Sequence, residues 1–261
     1  MTTRRHTPAS LLAAGAVLAA LLPAACSSGG TTTLCHSDTH PVRGGTYTVM
    51  NNEWHSSADQ CITTDGTASF TVANSSIANS THGAPGGYPL IYRGCHWGVC
   101  TPDSGLPIRV SSIYTGTVIT SWRTTQPGGS NRYNVTYDIW FNRTPTTSGQ
   151  PDGAELMIWL NRHGPTPAGP LVAGGVSIDG RSYAVYLHQG RWNLITYLMT
   201  TGATSVRHLD LQPLAADAVS QGYIQPSWYL ISVEAGFELW RGGAGLATNS
   251  FSVRVAGGGP P

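Results

Sequence analysis

Charged side chains are scarce in this chain. They make up 10% of its 261 residues, against roughly 25% in an average soluble domain. The formal net charge at pH 7 is only +1, so the chain lacks the basic excess that marks nucleic-acid binding. We therefore expect neither nucleic acid nor an acidic polymer as a partner. Abundant Ser, Thr, Asn and aromatic residues are better suited to a neutral, hydroxyl-rich ligand.

One long apolar run stands near the N-terminus, at Leu11–Ala25, and it follows Arg4 and Arg5. The run is too short and too rich in alanine to span a bilayer. A basic start, an apolar stretch and small residues are typical of a signal peptide. We therefore predict a signal peptide over residues 1–26, secretion to the extracellular space, and no membrane contact after cleavage. A lipid anchor at Cys26 is the alternative.

Cysteine is also infrequent, with five in the chain. Four remain when Cys26 is set aside, and in an oxidising compartment they predict two disulfides. Proximity in sequence favours Cys95–Cys100, which closes a tight loop, and Cys35–Cys61, which closes a longer one. A zinc site is the competing interpretation, but the spacings lack a paired C-x-x-C and the histidines are scattered. We expect no metal and no cofactor.

Glycine (32) and proline (17) are abundant and separate short segments of alternating polarity, which predicts an all-β sandwich. The candidate strands are Thr46–Asn51, Ala68–Asn74, Leu90–Arg93, Ile108–Ile113, Gly116–Trp122, Tyr133–Phe141, Glu155–Asn161, Leu171–Ile178, Tyr183–His188, Trp192–Met199, Ser227–Glu234, Phe237–Trp240 and Ser250–Val255. Apolar residues at helical spacing predict one helix over Asp210–Gln221, capped by Asp210 and ended by Gly222.

The same pass along the chain divides it into four parts. A Ser/Gly/Thr-rich spacer is predicted over residues 27–34, after the signal peptide, and a single catalytic domain over residues 35–255. The tail at 256–261, AGGGPP, resembles the first residues of a flexible linker. Such a linker would lead to another module beyond residue 261.

Glutamate is rare, and two of the four glutamates lie in the middle of candidate strands beside tryptophan. Because side chains alternate along a strand, Glu155 shares a face with Met157 and Trp159. By the same periodicity, Asp138 shares a face with Trp140. Glu238 and Trp240 repeat the arrangement, but for Glu155 alone a surface glutamate beside an exposed aromatic residue is the alternative.

Two carboxyl groups that flank a bond are the requirement of glycoside hydrolysis. One must be ionised to attack or stabilise the anomeric carbon, and the other must hold a proton near neutral pH. Tryptophan faces offer apolar platforms on which pyranose rings stack. The acid-plus-tryptophan pattern therefore points to a sugar-binding groove in which hydrolysis takes place.

Motifs in a fixed order extend this interpretation over nearly all of residues 46–255. They are NNEW at Asn51–Trp54, GGYP at Gly86–Pro89, GCHWGVC at Gly94–Cys100, LP at Leu106–Pro107, YDIWF at Tyr137–Phe141, ELMIWL at Glu155–Leu160, SWYL at Ser227–Leu230, AGFELW at Ala235–Trp240 and NSFSV at Asn249–Val253. The ordered set resembles the family 12 glycoside hydrolases. The resemblance implies a β-jelly roll, a concanavalin-like sandwich of two curved antiparallel sheets with one short α-helix. It also implies hydrolysis of β-1,4-glucan with retention. We further expect a monomer, and we expect the module beyond residue 261 to be a carbohydrate-binding module.

The resemblance also implies roles for single residues. Glu155 matches the nucleophile of the family, Glu238 matches the acid/base, and Asp138 matches an aspartate that hydrogen-bonds the nucleophile. Trp54 matches a tryptophan that stacks a sugar on the non-reducing side of the cleaved bond. The expected substrate-binding residues are Asn52, Trp54, His96, Trp97, Trp140, Met157 and Trp159.

Some points stay open at the level of sequence. Glu234 has the same strand parity as Glu238 and is its rival as acid/base, although a bulge at Ala235–Gly236 would spoil that parity. His55 stands where family members usually have glycine, and Glu53 is expected at the surface.

A xyloglucan-specific enzyme of the same family is one alternative function. A non-catalytic, lectin-like carbohydrate-binding jelly roll is another.

Overall fold

The computed structural model describes residues 1–2 and 30–256. Nearly all of the predicted signal peptide, the alternative lipid anchor at Cys26 and nearly all of the predicted linker lie outside the described residues. Among the helices of the described part, none is long and apolar enough to cross a membrane.

Within residues 30–256, the strands form two sheets. The smaller sheet contains six strands: β1 (Thr32–Cys35), β4 (Gln60–Thr64), β5 (Phe70–Ser75), β9 (Val118–Thr125), β15 (Ser205–Asp210) and β18 (Ala247–Val255). The larger sheet contains twelve: β2 (Thr39–Val42), β3 (Tyr47–Met50), β6 (Leu90–His96), β7 (Val99–Cys100), β8 (Ile108–Arg109), β10 (Arg132–Asn142), β11 (Ala154–His163), β12 (Leu171–Ile178), β13 (Arg181–Gln189), β14 (Asn193–Met199), β16 (Tyr229–Gly236) and β17 (Leu239–Arg241).

Strand order shows how the larger sheet is built. Its main path is β12-β13-β14-β11-β10-β16-β6-β3-β2, so the long strands β10 and β11 lie at its centre. The predicted antiparallel arrangement needs one correction, because β11 and β14 pair in parallel. A parallel neighbour requires a long connection, and the antiparallel strands β12 and β13 lie within that connection. The two sheets with one helix otherwise confirm the predicted jelly roll.

The hydrophobic core uses alternate residues of each strand, as the two-residue period of a strand requires. On β10, the buried core residues are Tyr133, Val135, Tyr137, Ile139 and Phe141. Trp122 of the opposite sheet packs against Tyr137 with ring centroids 5.2 Å apart. Full burial of such a side chain contributes roughly 1.5–3 kcal/mol. The remaining residues of β10 point to the other face of the larger sheet, called the outer face below.

Strands β4 and β15 were not predicted, for different physical reasons. In β4, the buried positions include the polar Gln60 and Thr64, so hydrophobicity does not alternate. In β15, the pairing with β9 shifts register between Val206 and Leu209, and His208 has φ +50°. A bulge of this kind places two buried residues three positions apart and hides the strand period. The short strands β2 and β7 were also missed.

The structure corrects two of the predicted segments. The predicted spacer over residues 27–34 overlaps β1, and Leu34 is a buried core residue. The domain therefore begins no later than Thr32. Of the predicted strand at Ile108–Ile113, only Ile108–Arg109 is extended, and Val110–Ser112 forms a 3₁₀ turn.

The predicted helix is present as α1 (Gln212–Ser220), with Leu214, Ala215 and Ala218 buried. Asp210 accepts a hydrogen bond from the backbone N–H of Gln212 at 3.0 Å, which satisfies one of the free donors at the helix start. Gly222, with φ +73°, follows the helix end. The hydrogen-bonding role of Asp210 is as expected, although the N-cap position itself is Leu211.

Both predicted disulfides are confirmed. Cys35–Cys61 joins β1 to β4, whose register pairs these two residues directly. Cys95–Cys100 closes the tight turn between β6 and β7. The first bridge closes a loop of 26 residues and the second a loop of 5.

Replacing both Cys35 and Cys61 with Ser is expected to lower the free energy of unfolding by ~2–4 kcal/mol, since the longer loop gains more entropy in the unfolded chain. Denaturant unfolding under non-reducing conditions measures the loss. The matched control replaces Cys95 and Cys100, which should cost less. An equal or larger loss in the control would contradict the loop-length argument.

Candidate active site

Strand register aligns the outer-face residues into rows that cross the larger sheet. One row contains Met157, Asp138, Glu234 and Tyr92, on β11, β10, β16 and β6 in turn. We call it the Asp138 row. The next row contains Glu155, Trp140 and Ser232. Adjacent rows are two residues apart along each strand, or about 6.8 Å. Two acids thus occupy the Asp138 row, and Glu155 stands in the row beside it.

Glu238 reaches the same face from the break between β16 and β17. Its backbone N–H donates to Asn134 Oδ1 at 2.9 Å, and its carbonyl accepts from the Asn134 N–H at 3.2 Å. The Asn134 amide Nδ2 also donates to the Glu238 carboxylate. Asn134, which holds Glu238, precedes Asp138 by four residues on β10. Trp140, which pairs with Glu155, follows Asp138 by two residues. Glu155 and Glu238 therefore lie on opposite sides of the Asp138 row.

Asp138, Glu155, Glu234 and Glu238 are called the acid cluster below. Burial, then the negative charge of Glu238, raises the pKa of Glu155, while a hydrogen bond from Trp192 lowers it. Burial raises the pKa of Glu238, and the hydrogen bond from Asn134 lowers it. Desolvation disfavours the charged carboxylate, and a neighbouring negative charge does the same. Glu155 and Glu238 therefore exchange protons closer to neutral pH than ordinary carboxyl groups do.

Asp138 is buried on β10 and accepts a hydrogen bond from Thr136 Oγ1 at 3.2 Å. Burial and the charges of the other three acids raise its pKa well above the ordinary value. The hydrogen bond to Glu155 that the resemblance implied is absent from the described residues. The register explains this difference, because Asp138 stands directly opposite Met157 and only diagonally from Glu155.

Glu234, the rival for acid/base, is only 1% exposed. Both of its carboxylate oxygens lie 3.1 Å from Nδ1 of His96, which is itself buried. A carboxylate held by a histidine on one side and protein on the others has little access to a substrate. The geometry therefore favours Glu238 over Glu234 as the acid that faces solvent and ligand.

Of the predicted tryptophans, Trp159 and Trp140 lie on opposite sides of the Asp138 row, and each belongs to a cluster. Met157, Trp159 and Trp240 form one buried cluster, in which Trp159 Nε1 lies 3.4 Å from Met157 Sδ. Trp97 and Trp140 form the other, with ring centroids 5.2 Å apart. Trp97 keeps 40% of its surface exposed, which leaves an aromatic face available to a ligand.

The turn closed by Cys95–Cys100 presents His96 and Trp97, as expected. It begins at Gly94, where φ is +114° and an added Cβ would lie 2.4 Å from the Ile231 carbonyl oxygen. Trp97 itself has φ +45°, a conformation that costs a bulky residue on the order of 1–3 kcal/mol. The short disulfide loop thus holds Trp97 in a backbone conformation that an open chain would avoid.

The NNEW segment lies at the Glu238 end of the site. Glu53 forms an isolated bridge with Gly87, which in turn bridges to Leu239. Trp54 is 54% exposed, and its ring stacks on His55 with centroids 5.3 Å apart. The expectation that Glu53 lies at the surface was wrong, since its side chain is 4% exposed and 3.5 Å from His36.

Asn52 is buried and has φ +44°, and its carbonyl accepts from the Tyr88 N–H at 2.9 Å. The structure therefore shows a backbone role for Asn52. Tyr88 was quoted only as part of a motif, yet it lies beside the acid cluster. Burial and the charges of all four acids raise its pKa well above the ordinary value.

Trp192 and Asn134 are site residues that sequence reasoning missed. Trp192 Nε1 donates to Glu155 Oε2 at 3.2 Å, and Asn134 holds Glu238. Trp192 was predicted to begin the strand Trp192–Met199, but it lies in the turn before β14 (Asn193–Met199). Asn134 shares its face with Asp138 and Trp140, so parity pointed toward it.

Across residues 30–256, no three His, Cys, Asp or Glu side chains form a group that could hold a metal ion.

One buried and one partly buried glutamate, on either side of a row of acids and bordered by tryptophans on a β-sandwich, define a glycoside hydrolase. Comparison with known families supports this class, because the model of glycosyl hydrolase family 12 matches residues 45–256. The chain belongs to glycosyl hydrolase family 12. The family predicted from the ordered motifs is thereby confirmed.

Solved structures and curated sequences agree with the family. Endoglucanase Cel12A from Rhodothermus marinus is 45% identical, covering 86% of this chain and 98% of that chain, with a TM-score of 0.81. Endoglucanase S from Pectobacterium parmentieri is 31% identical, covering 68% of each sequence. A family 12 xyloglucanase from Bacillus licheniformis is 26% identical, covering 87% of this chain and 99% of that chain, with a TM-score of 0.77.

Proposed function

We propose that this protein is a secreted endo-β-1,4-glucanase that cleaves internal bonds of cellulose and β-glucan with retention. One observation carries the proposal: the buried Glu155 and the partly buried Glu238 lie on opposite sides of the Asp138 row. In the first step, Glu155 attacks the anomeric carbon as nucleophile while Glu238 donates its proton to the departing glycosidic oxygen. A covalent glycosyl-enzyme forms, and one sugar chain leaves.

In the second step, Glu238 acts as base and takes a proton from water. The water attacks the anomeric carbon from the side that the first product vacated, and the Glu155 ester bond breaks. The product keeps the β configuration because both displacements invert the carbon. Both steps use only the two carboxyl groups and water.

Asp138 serves as a positioning residue in this proposal. Its raised pKa keeps it protonated at pH values where an ordinary aspartate is charged. A protonated Asp138 adds no negative charge beside Glu155 and has an O–H to donate. We propose that this hydrogen bond reaches Glu155 when substrate fills the site, since catalytic hydrogen bonds often tighten in the substrate complex.

The preference for unsubstituted glucan has support in the comparisons. The R. marinus endoglucanase is 45% identical to this chain, whereas the B. licheniformis xyloglucanase is 26% identical. Trp54, Trp97 and Trp140 are proposed to contact sugar rings, with Trp54 on the non-reducing side. Export by the N-terminal segment and action as a monomer complete the proposal.

Proton NMR of the earliest product from barley β-glucan is expected to show the β-anomer before mutarotation. Reducing-sugar release should be faster on β-glucan and carboxymethylcellulose than on xyloglucan. An initial α-anomer would mean inversion and a different carboxyl pair. Faster release from xyloglucan would contradict the substrate preference, and no release from any of the polymers would favour a lectin-like binding protein.

A further inference from the structure

Trp192 stands where the nucleophile strand begins. Because β11 and β14 are parallel, they start at the same edge of the sheet, and Ala154 pairs with Asn193. Glu155 pairs with Leu194 on β14. Trp192 lies two residues before Leu194, so the side chains of Trp192 and Glu155 are on the same face of the sheet. The parallel pairing therefore places the Trp192 side chain beside the Glu155 carboxylate, and Nε1 donates to Oε2 at 3.2 Å.

Backbone and side-chain contacts hold this turn in place. The Trp192 carbonyl accepts from the Gly190 N–H at 3.2 Å. Asn193 donates its N–H to the Gly153 carbonyl at 3.4 Å and its side-chain amide to the Tyr223 carbonyl at 2.8 Å. The turn is thus tied directly to the residues that lead into β11. Its position relative to Glu155 is set by the sheet rather than by a free loop.

The Trp192 ring also has a fixed neighbour. Its centroid lies 6.0 Å from that of Trp140, which pairs with Glu155 across β10 and β11. Trp140 therefore lies next to both the indole and the carboxylate that the indole contacts. An indole N–H donates a hydrogen bond and never accepts one, so the contact with Glu155 is strongest when the carboxylate is ionised.

We infer that Trp192 is a positioning residue that keeps Glu155 ionised and oriented for attack on the anomeric carbon. The inference rests on the proposed role of Glu155 as nucleophile. Asp138 on β10 is protonated in the proposed mechanism, so the negative charge that faces Glu155 comes from Glu238 after β16 and Glu234 on β16. Leu194, the register partner of Glu155 on β14, carries no charge. Trp192 is the one hydrogen-bond donor to the Glu155 carboxylate among the described residues, and it opposes these charges.

The test uses the 2-deoxy-2-fluoro-β-cellobiosyl fluoride, a probe that traps the nucleophile as an ester. Fluoride leaves without a proton, so the rate of inactivation reports on Glu155 and not on the acid. Trp192→Phe keeps an aromatic ring against Trp140 and removes the N–H. We expect inactivation about 10–100-fold slower at acidic pH, the usual effect of losing a hydrogen bond to a charged group.

The pH dependence distinguishes this role from a structural one. Removing the donor should raise the pKa of Glu155, so the acidic limb of the inactivation rate should move to higher pH. Trp228→Phe is the matched control, since Trp228 is a partly buried tryptophan outside the acid cluster, and it should behave like the wild type. A slower rate with an unmoved limb, or a wild-type rate, would overturn the inference.

The same experiment separates failure of the inference from failure of the proposed function. Peptide mass mapping of the trapped protein should place the label on Glu155. A label on another carboxyl group would overturn the proposed nucleophile itself. If Trp192→Phe does not fold, Trp192→Gln and Trp192→Leu provide the comparison, because they match in size and only Gln donates. Equal inactivation of those two variants would also overturn the inference.

Discussion

Glu155→Gln is expected to lower kcat on β-glucan by roughly 10⁴–10⁶-fold, the scale seen when a nucleophile is removed from an enzyme that acts through a covalent intermediate. The amide is nearly isosteric with the carboxylate and still fills the buried site beside Trp192. It carries no charge and is a very weak nucleophile, so the glycosyl-enzyme cannot form. The loss should be as large on an activated aryl cellobioside as on the polymer, because every substrate requires the nucleophile.

Initial rates on β-glucan and on 2,4-dinitrophenyl β-cellobioside measure this loss, with thermal unfolding recorded for each variant. Glu53→Gln is the matched control, because Glu53 is also a buried glutamate but lies outside the acid cluster. It should retain nearly all activity. Residual activity of Glu155→Gln above about 1% of the wild type would be inconsistent with the proposed nucleophile.

Glu238→Gln is expected to lower kcat on β-glucan by about 10²–10⁴-fold, the usual contribution of general acid catalysis. The glycosidic oxygen leaves as an alkoxide unless it is protonated, and Gln cannot supply the proton. Dinitrophenolate leaves without a proton, so the first step on the aryl substrate should be nearly unaffected. The ratio of the two rates therefore identifies the acid.

The pH profile provides a second readout for Glu238. Burial raises the pKa of this carboxyl group, so the wild type keeps the required proton toward neutral pH and loses it as pH rises through that pKa. The alkaline limb on β-glucan should disappear in Glu238→Gln. Glu234→Gln is the comparison, because His96 holds Glu234. If Glu234→Gln, rather than Glu238→Gln, lost activity on β-glucan but not on the aryl substrate, Glu234 would be the acid and Glu238 would not.

Strand periodicity placed Asp138 and Glu155 on the outer face, whereas the choice of Glu238 over Glu234 came from the family resemblance, because Glu238 lies between β16 and β17. Glu155, Met157 and Trp159 were placed on one face from their spacing alone, and the register of β11 against β10 bears this out. Periodicity failed where the strand itself is irregular. The bulge in β15 hid that strand, and the polar interior of β4 hid another. Alternating polarity predicts a strand only where successive side chains point to opposite faces without interruption and where the buried face is apolar.

By itself, the sequence determined the family, the all-β class, both disulfides and the faces on which the acids lie. These follow from the spacing of neighbouring residues and from the order of the motifs, both of which can be read from the sequence. Only the tertiary structure decided which acid meets which partner. Glu234 is held by His96, 138 residues away, and Glu155 by Trp192, 37 residues away. Such pairs depend on strand order and on the parallel start of β11 and β14, and no periodicity within a segment encodes either of them.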